Sequence, residues 1–150
     1  MAPEATFLLN KARNYCASSE RCIMDVEQKL HQWNAEDTTI RKIINRLGKE
    51  DFINEERYAK AFAVGKLRNN KWGKTKIIYA LQRKRIPDLY IQIGIGEIDE
   101  DEYLNTLKAV LSSKKIDESD EWKRNNKLIK FAIQKGFQAD LCRKIINGEL

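Results

Sequence analysis

The chain has 150 residues, a formal net charge of +6 at pH 7, and only two prolines and seven glycines. That length suits one compact domain or a few small repeats, and the scarcity of proline and glycine argues against a loop-rich all-β fold. Because no apolar run approaches the roughly 20 residues of a bilayer span and no leader pattern opens the chain, we expect a cytoplasmic protein that does not enter a membrane.

Helical periodicity runs along the whole chain. Near the N-terminus, apolar residues recur three or four positions apart at Ile23, Val26 and Leu30, which is the spacing of one helix face. Asn54 is a good helix-capping residue and is followed by two glutamates, a typical helix start. The pattern predicts nine helices, over residues 5–17, 19–33, 37–47, 54–71, 73–85, 88–98, 101–114, 120–135 and 138–147.

The apolar pattern repeats every 51 residues. Five apolar positions keep this register through three copies without a gap, and a period of this length is typical of a helical repeat array. Six additional residues are predicted in the third copy, around "KIDESD". The aligned positions are Val26, Ile77 and Leu128; Leu30, Leu81 and Ala132; Ala35, Ile86 and Phe137; Ile40, Ile91 and Cys142; and Ile44, Ile95 and Ile146.

The repeat predicts an all-α protein of three tandem three-helix units, over residues 1–50, 51–98 and 99–150. It places "YIQIGIG" (90–96), which locally resembles a strand, in a helix. Gly94 and Gly96 each disfavour a helix by about 1 kcal/mol relative to alanine, so we expect residues 88–98 to form the weakest helix.

Three cysteines, with no CxxC pair, fit a reducing compartment. The register places Cys16 and Cys142 at core positions, where cysteine acts as a small hydrophobic residue. Cys22 aligns with Gly73 and Arg124, which indicates a position near the surface.

Signals for catalysis are weak. The single histidine, His31, lies within a predicted helix, and the chain contains no histidine pair and no P-loop lysine motif. The GxG at 94–96 lacks the third glycine of a dinucleotide-binding fingerprint, because Asp99 stands at that position. We therefore expect no catalytic residue, no metal site and no cofactor.

The charge is strongly segregated. Residues 57–87 contain ten basic side chains and no acidic one, whereas a merely solvated face usually mixes both signs. The acidic segment "EIDEDE" (97–102) offers internal compensation if it folds back onto this segment. The ten are Arg57, Lys60, Lys66, Arg68, Lys71, Lys74, Lys76, Arg83, Lys84 and Arg85.

These basic residues have a pattern that suits binding. Arg57, Lys60, Arg68 and Lys71 are predicted to form one stripe on a helix. In the next helix, Lys76, Tyr79 and Arg83 recur with helical spacing, and a tyrosine between two cations suits stacking on a base or packing against a partner. Trp72 either closes the corner between the two helices or provides an exposed anchor.

Two partners fit this charge: the backbone of a nucleic acid, or an acidic protein surface. Three-helix units resemble helix-turn-helix modules. No predicted third helix, however, begins with a compact Arg/Asn/Gln cluster that would read base edges. Backbone contact is therefore better supported than sequence-specific recognition.

"DFINEERYAKAFAVGKLRNNKWGKTKI" (51–77) resembles the central motif of the RecX family of bacterial regulators of the RecA recombinase. "NYC" (14–16) and "DVEQKLHQWN" (25–34) resemble its first repeat, and "IDEDEYLNTL" (98–107) and "KLIKFAIQKGF" (127–137) resemble the region from the joint with the third repeat to its core. The chain departs from the family at Arg85, where a glycine is usual, and in its short N-terminal segment.

The resemblance implies an elongated, curved molecule, expected here to be a monomer, that binds RecA–DNA filaments and limits recombinase and ATPase activity in DNA repair, recombination and the SOS response. The partners would be the RecA filament and the backbone of single- or double-stranded DNA. A stand-alone nucleic-acid-binding module is the alternative. The candidate binding residues are Arg57, Lys60, Lys66, Arg68, Lys71, Trp72, Lys74, Lys76, Tyr79 and Arg83.

Overall fold

The computed structural model describes residues 2–150, and every regular element in that range is an α-helix. The predicted helices are all present, including the one over the strand-like segment 90–96. The helices are α1 (Pro3–Ser18), α2 (Ile23–Gln32), α3 (Asp37–Lys49), α4 (Glu55–Asn70), α5 (Lys74–Arg83), α6 (Asp88–Gly96), α7 (Glu100–Ser113), α8 (Glu121–Gln134) and α9 (Ala139–Ile146).

Helices α3 to α9 begin within one residue of their predicted starts, but α2 begins at Ile23, four residues later than predicted. The backbone is extended at Ser19 and at Cys22, the residue that precedes the helix. The Cys22 N–H donates to the carboxylate of Asp25 over 3.2 Å. This bond satisfies a backbone donor that precedes the first turn and defines the helix start.

The nine helices form three tandem three-helix repeats: α1–α3, α4–α6 and α7–α9. Helices pack closely within each repeat, and α7 also packs against α4. The repeats therefore follow one another in chain order, which makes the molecule elongated. The predicted boundaries at 50/51 and 98/99 fall between helices, and the division into three separate domains stays a prediction.

The second helix of each repeat ends in the same turn. The N–H groups of Ala35, Ile86 and Phe137 each donate to a carbonyl five residues earlier, over 3.0–3.1 Å. The residue before each of them has a positive φ. These are the features of a Schellman helix end, and they recur at the 51-residue spacing of the apolar pattern.

In the part of the chain that the structure describes, the buried hydrophobic side chains form two cores rather than three. Repeat 1 has its own core, which includes Leu9, Leu30 and Ile43. Repeats 2 and 3 share a second core, in which Leu81 and Tyr103 are both fully buried. Repeats 2 and 3 are therefore joined by common apolar packing, whereas repeat 1 packs mainly on itself.

Backbone hydrogen bonds also join repeats 2 and 3. Gly73 N–H donates to the carbonyl of Lys135 over 2.7 Å, and Thr75 N–H donates to that of Gly136 over 3.1 Å. A Cβ added to Gly73 would lie only 2.3 Å from the backbone of Gly136 and Phe137. Only glycine permits this approach.

The junction between repeats 1 and 2 is built from side chains. Lys84 Nζ lies 2.5 Å from the carboxylate of Asp25, and Arg57 Nε lies 2.5 Å from that of Glu20. The Ile23 N–H donates to the Glu55 carboxylate over 3.1 Å. Carboxylate side chains thus accept hydrogen bonds here, whereas backbone carbonyls also do so at the following junction.

Cys22 corrects one prediction. The repeat register predicts a position near the surface, but Cys22 is fully buried. It lies in repeat 1 in the sequence, yet its side chain belongs to the core of repeats 2 and 3. Gly73, the aligned residue of repeat 2, is buried as well. Both positions face the next repeat, so contact between repeats removes them from solvent. Cys16 and Cys142 are buried, as predicted.

Candidate functional site

Four of the ten basic residues in the 57–87 segment form ion pairs within the chain. Arg57 binds Glu20 and Asp51, and Lys84 binds Asp25. Arg68 Nε lies 2.6 Å from Glu102, and Lys74 Nζ lies 2.5 Å from Glu100. Two carboxylates of the acidic segment 97–102 therefore fold back onto the basic segment, which is the internal compensation that the sequence left open.

These ion pairs divide the predicted stripe on α4. Arg57 is directed toward repeat 1 and Arg68 toward α7, where its hydrogen bonds lower the pKa of Glu102. Lys71 follows the last residue of α4 with a φ of 55°. Among residues 2–150, Lys60 and Lys71 form no ion pair with an acidic side chain. The predicted stripe is therefore not one free cationic surface, because its two arginines are paired and, among the described residues, only its two lysines are not.

A second arrangement lies where α4 meets α5. Lys66 Nζ lies 4.9 Å from the centre of the Trp72 ring, and Lys76 Nζ lies 4.6 Å from it. Phe62 meets Trp72 edge to face, with ring centres 6.5 Å apart. Neither lysine pairs with a carboxylate within residues 2–150. The ammonium groups of two lysines that form no ion pair in that range thus lie close to one tryptophan ring.

Trp72 combines the two roles considered for it. Its backbone N–H donates to the Lys66 carbonyl over 3.1 Å, so it closes the corner after α4. Its side chain packs beside the second core and remains partly exposed. The residue is structural on one side and accessible on the other.

The outer face of α5 extends this arrangement. Tyr79 is 60% exposed, and the Arg83 guanidinium lies 5.8 Å from its ring centre. Ile77 and Leu81, on the opposite face of the helix, are fully buried. We call the following six residues the cation–aromatic surface: Phe62, Lys66, Trp72, Lys76, Tyr79 and Arg83.

Sequence reasoning missed three contributors to this region. Phe62 lies one helical turn before Lys66 and could have been found from that spacing. Tyr15 and Arg21, whose guanidinium lies 4.0 Å from the Tyr15 ring centre, belong to repeat 1. A groove of about 430 Å³ joins them to Phe62 and Lys66. Nothing in their sequence positions reveals that the junction brings them together.

Lys74 has a role in the junction as well as in the candidate site. Its backbone N–H donates to the hydroxyl of Tyr103 over 3.0 Å, and that hydroxyl donates to Gln138 over 2.6 Å. Burial, the largest influence, raises the pKa of Tyr103 to about 12. The phenol therefore stays neutral and able to donate at ordinary pH.

Within residues 2–150, no group of three or more histidine, cysteine or acidic side chains is placed to hold a metal ion. In the same part of the chain, every helix is too short or too polar to cross a bilayer. Of the candidate residues, the structure brings Lys66, Trp72, Lys76, Tyr79 and Arg83 together, and it separates Arg57, Arg68 and Lys74 into internal ion pairs.

A family model described as "RecX, second three-helix domain" matches residues 54–93. A Clostridium perfringens (strain SM101 / Type A) protein named "Regulatory protein RecX" is 33% identical over 129 residues, covering 82% of this chain and 59% of the relative. A Streptococcus uberis protein of the same name is 31% identical over 141 residues, covering 94% of this chain and 54% of the relative. The chain therefore spans less than two thirds of the length of these curated relatives.

A crystal structure of RecX from Lactobacillus salivarius superposes with a TM-score of 0.85 at 22% sequence identity, covering 99% of this chain and 98% of that one. A second crystal structure of regulatory protein RecX superposes with a TM-score of 0.86 at 16% identity, covering 95% and 73% of the two chains. These similarities show the shared fold.

Proposed function

Because the chain belongs to the RecX family, we propose that it binds RecA–DNA filaments and limits their ATPase and recombinase activity. It would do so as a cytoplasmic monomer, in DNA repair, recombination and the SOS response. Curated relatives bear the name "Regulatory protein RecX", which supports a regulatory role rather than an enzymatic one.

The observation that carries this proposal is the pair of lysines on Trp72. Lys66 and Lys76 lie on opposite sides of the corner between α4 and α5, and neither forms an ion pair within residues 2–150. A nucleoprotein filament presents DNA phosphates and acidic protein side chains to such a surface. Fixed cations lose little side-chain entropy when they bind, because the aromatic ring already restrains them.

The proposed action is steric and electrostatic, and the chain performs no chemistry itself. The three units proposed at 1–50, 51–98 and 99–150 lie in sequence, so a single molecule reaches further than a globule of equal mass. Such a molecule bridges neighbouring recombinase subunits and either holds an inactive arrangement or blocks the addition of new subunits. The cation–aromatic surface supplies the attraction.

The test is inhibition of RecA ATPase and strand exchange on single-stranded DNA by Lys66→Glu/Lys76→Glu. The parent chain should inhibit both activities, and the variant should need at least about ten-fold more protein, since two attractive charges become repulsive. Lys108→Glu/Lys130→Glu is the matched control, because both of its lysines are exposed and lie in repeat 3. The proposal is wrong if the parent leaves both activities unchanged, or if both variants inhibit equally.

The alternative is a stand-alone nucleic-acid module, and the grouping of aromatic rings with lysines favours it as a second candidate. Base stacking on exposed rings contributes about 1 to 3 kcal/mol per base. Such a module binds single-stranded DNA without recombinase, and its affinity falls steeply as salt rises. Comparing binding to DNA, to RecA and to RecA on DNA separates the two functions.

A further inference from the structure

A second cationic surface lies on α3, in repeat 1 and apart from the cation–aromatic surface. Five exposed positions of this helix carry a basic side chain or an asparagine. At 100° per residue they lie within an arc of about 140°. We call these residues the α3 face: Arg41, Lys42, Asn45, Arg46 and Lys49.

The α3 face takes no part in the apolar core. The opposite side of α3 supplies Ile40, Ile43 and Leu47 to the core of repeat 1. In repeat 2, the positions 51 residues later are Gln92, Ile93, Gly96, Glu97 and Glu100. None of these is basic, whereas repeat 3 has Arg143, Lys144 and Asn147 at the positions of Arg41, Lys42 and Asn45. The cations therefore recur in repeats 1 and 3, and Arg46 and Lys49 extend them in repeat 1 alone.

Most of the charge on this face is free. Arg46 is bound to Glu50, which also binds Arg13 on α1. Arg41, Lys42 and Lys49 form no ion pair within residues 2–150. Of the other acidic residues that flank this helix, Glu36 and Asp37 stand at its N-terminal end, and Asp51, beyond its C-terminal end, is paired with Arg57.

A groove of about 430 Å³ lies beside the α3 face, between α1 and α3. Four members of the face line it, together with Thr39 and two alanines, and its lining contains no acidic or aromatic side chain. The groove offers ammonium, guanidinium, amide and hydroxyl donors. This is the chemistry that phosphate oxygens require.

We propose that the α3 face binds the sugar–phosphate backbone of duplex DNA. Arg41 and Lys49 are separated by about 12 Å along the helix axis, a length comparable with the width of the major groove of B-DNA, about 12 Å. α3 is also the third helix of its three-helix unit, and in three-helix variants of the helix-turn-helix motif the third helix contacts the duplex.

The composition of the face distinguishes duplex DNA from other polyanions. Surfaces that bind single strands stack bases on aromatic rings, and the α3 face has none. Protein interfaces are depleted in lysine and enriched in aromatic residues, whereas this face has two lysines and no aromatic side chain. The acidic residues at the N-terminal end of α3 oppose insertion of that end for reading bases, so the contact is to the backbone and independent of sequence.

The experiment measures binding of the intact chain to a labelled duplex, and to oligo-dT of equal length, across a salt series. In Lys42→Glu/Lys49→Glu, duplex affinity should fall at least about ten-fold, and the slope of log affinity against log salt should decrease by about two, since two phosphate contacts are lost. Binding to oligo-dT should change less than about three-fold, because the cation–aromatic surface is intact.

Lys108→Glu/Lys130→Glu changes the net charge equally and should leave duplex affinity within about two-fold. The milder Lys42→Gln/Lys49→Gln should also lower duplex affinity, with unchanged helix content.

The proposal is overturned if the parent chain does not bind duplex, if both charge-reversal variants weaken binding equally, or if oligo-dT binding falls as much as duplex binding. Retained duplex binding with lost filament binding assigns the face to a protein partner instead. ATPase inhibition tests the proposed function through different residues, so either proposal can fail alone.

Discussion

Arg85 and Gly136 close the same helix end in consecutive repeats, and both have a positive backbone φ, of 59° and 100° respectively. Asn34, the corresponding residue of repeat 1, has a φ of 61°. Glycine adopts this conformation freely and asparagine tolerates it, but a long β-carbon-bearing side chain such as that of arginine is strained there. The glycine expected by family resemblance at position 85 therefore has a structural reason, and Arg85 has an energetic cost.

The Arg85→Gly variant should accordingly be more stable than the parent chain. Relief of the left-handed strain outweighs the greater freedom of glycine in the unfolded chain, and we expect the free energy of unfolding to rise by about 0.5 to 1 kcal/mol. Urea unfolding monitored by circular dichroism measures this change. Asn34→Gly is the comparison, with a gain close to zero because asparagine is already tolerated; a destabilised Arg85→Gly would contradict the argument.

Gly94 and Gly96 should respond oppositely to alanine, although they lie in the same helix. A Cβ on Gly94 would stand 2.7 Å from the carbonyl oxygen of Ala59 on α4, whereas one on Gly96 would meet nothing within 4 Å. We expect Gly94→Ala to destabilise the protein by about 1 to 3 kcal/mol through overpacking. Gly96→Ala should instead be neutral, or stabilising by up to about 1 kcal/mol.

Thermal and urea unfolding of the two alanine variants, compared with the parent, measure this difference. Equal effects at the two positions would show that helix propensity alone determines the response, because propensity predicts the same effect for both glycines. The structure shows instead that Gly94 permits α4 and α6 to approach closely. Whether α6 is the weakest helix stays a prediction.

The fold could be predicted from sequence because apolar periodicity and the 51-residue register are local signals repeated three times. All five aligned positions are buried or half-buried in every copy. The candidate site was harder to predict from sequence, because the ion pairs that neutralise its cations join residues far apart in the chain. Arg68 and Glu102, for instance, are separated by 34 residues. The sequence showed both charges but could not show which carboxylate reaches which cation, and the burial of Cys22 depended on the same unseen contact between repeats.

The stability of the junction between repeats 1 and 2 should depend on pH through Asp25. Burial raises the pKa of this carboxyl, but hydrogen bonds from Lys84 and Cys22 outweigh burial and leave the pKa below its usual value. A lowered pKa contributes stability that is present above the unfolded-state pKa of about 3.9 and is lost as pH falls through the lower folded-state pKa. The contribution is therefore complete at pH 7 and disappears in acid.

Asp25→Asn should therefore destabilise the chain by about 1 to 3 kcal/mol at neutral pH, because Lys84 loses its partner in a partly buried site. The difference between parent and variant should shrink as the pH falls below about 4. Urea unfolding at several pH values measures it. A difference that is constant across the whole range would mean that Asp25 acts through packing rather than charge. Glu27→Gln, on the same helix and free of ion pairs within residues 2–150, is the control.

The acidic segment should act as an internal competitor for polyanions. Glu100 and Glu102 hold Lys74 and Arg68, so a phosphate or an acidic side chain must displace them before either cation can bind it. Removing both negative charges should free the two cations. We expect Glu100→Gln/Glu102→Gln to bind single-stranded DNA about three- to ten-fold more tightly, with a steeper salt dependence because two more phosphates are contacted.

A matched control separates this local competition from the change in net charge. Glu97→Gln/Asp101→Asn removes the same charge from the same segment, and both residues are exposed and form no ion pair within residues 2–150. If both double variants tighten binding equally, only the overall field has changed. If only Glu100→Gln/Glu102→Gln tightens binding, Arg68 and Lys74 contact the DNA once they are released. Their ion pairs with Glu102 and Glu100 then lower the affinity of the parent chain for polyanions.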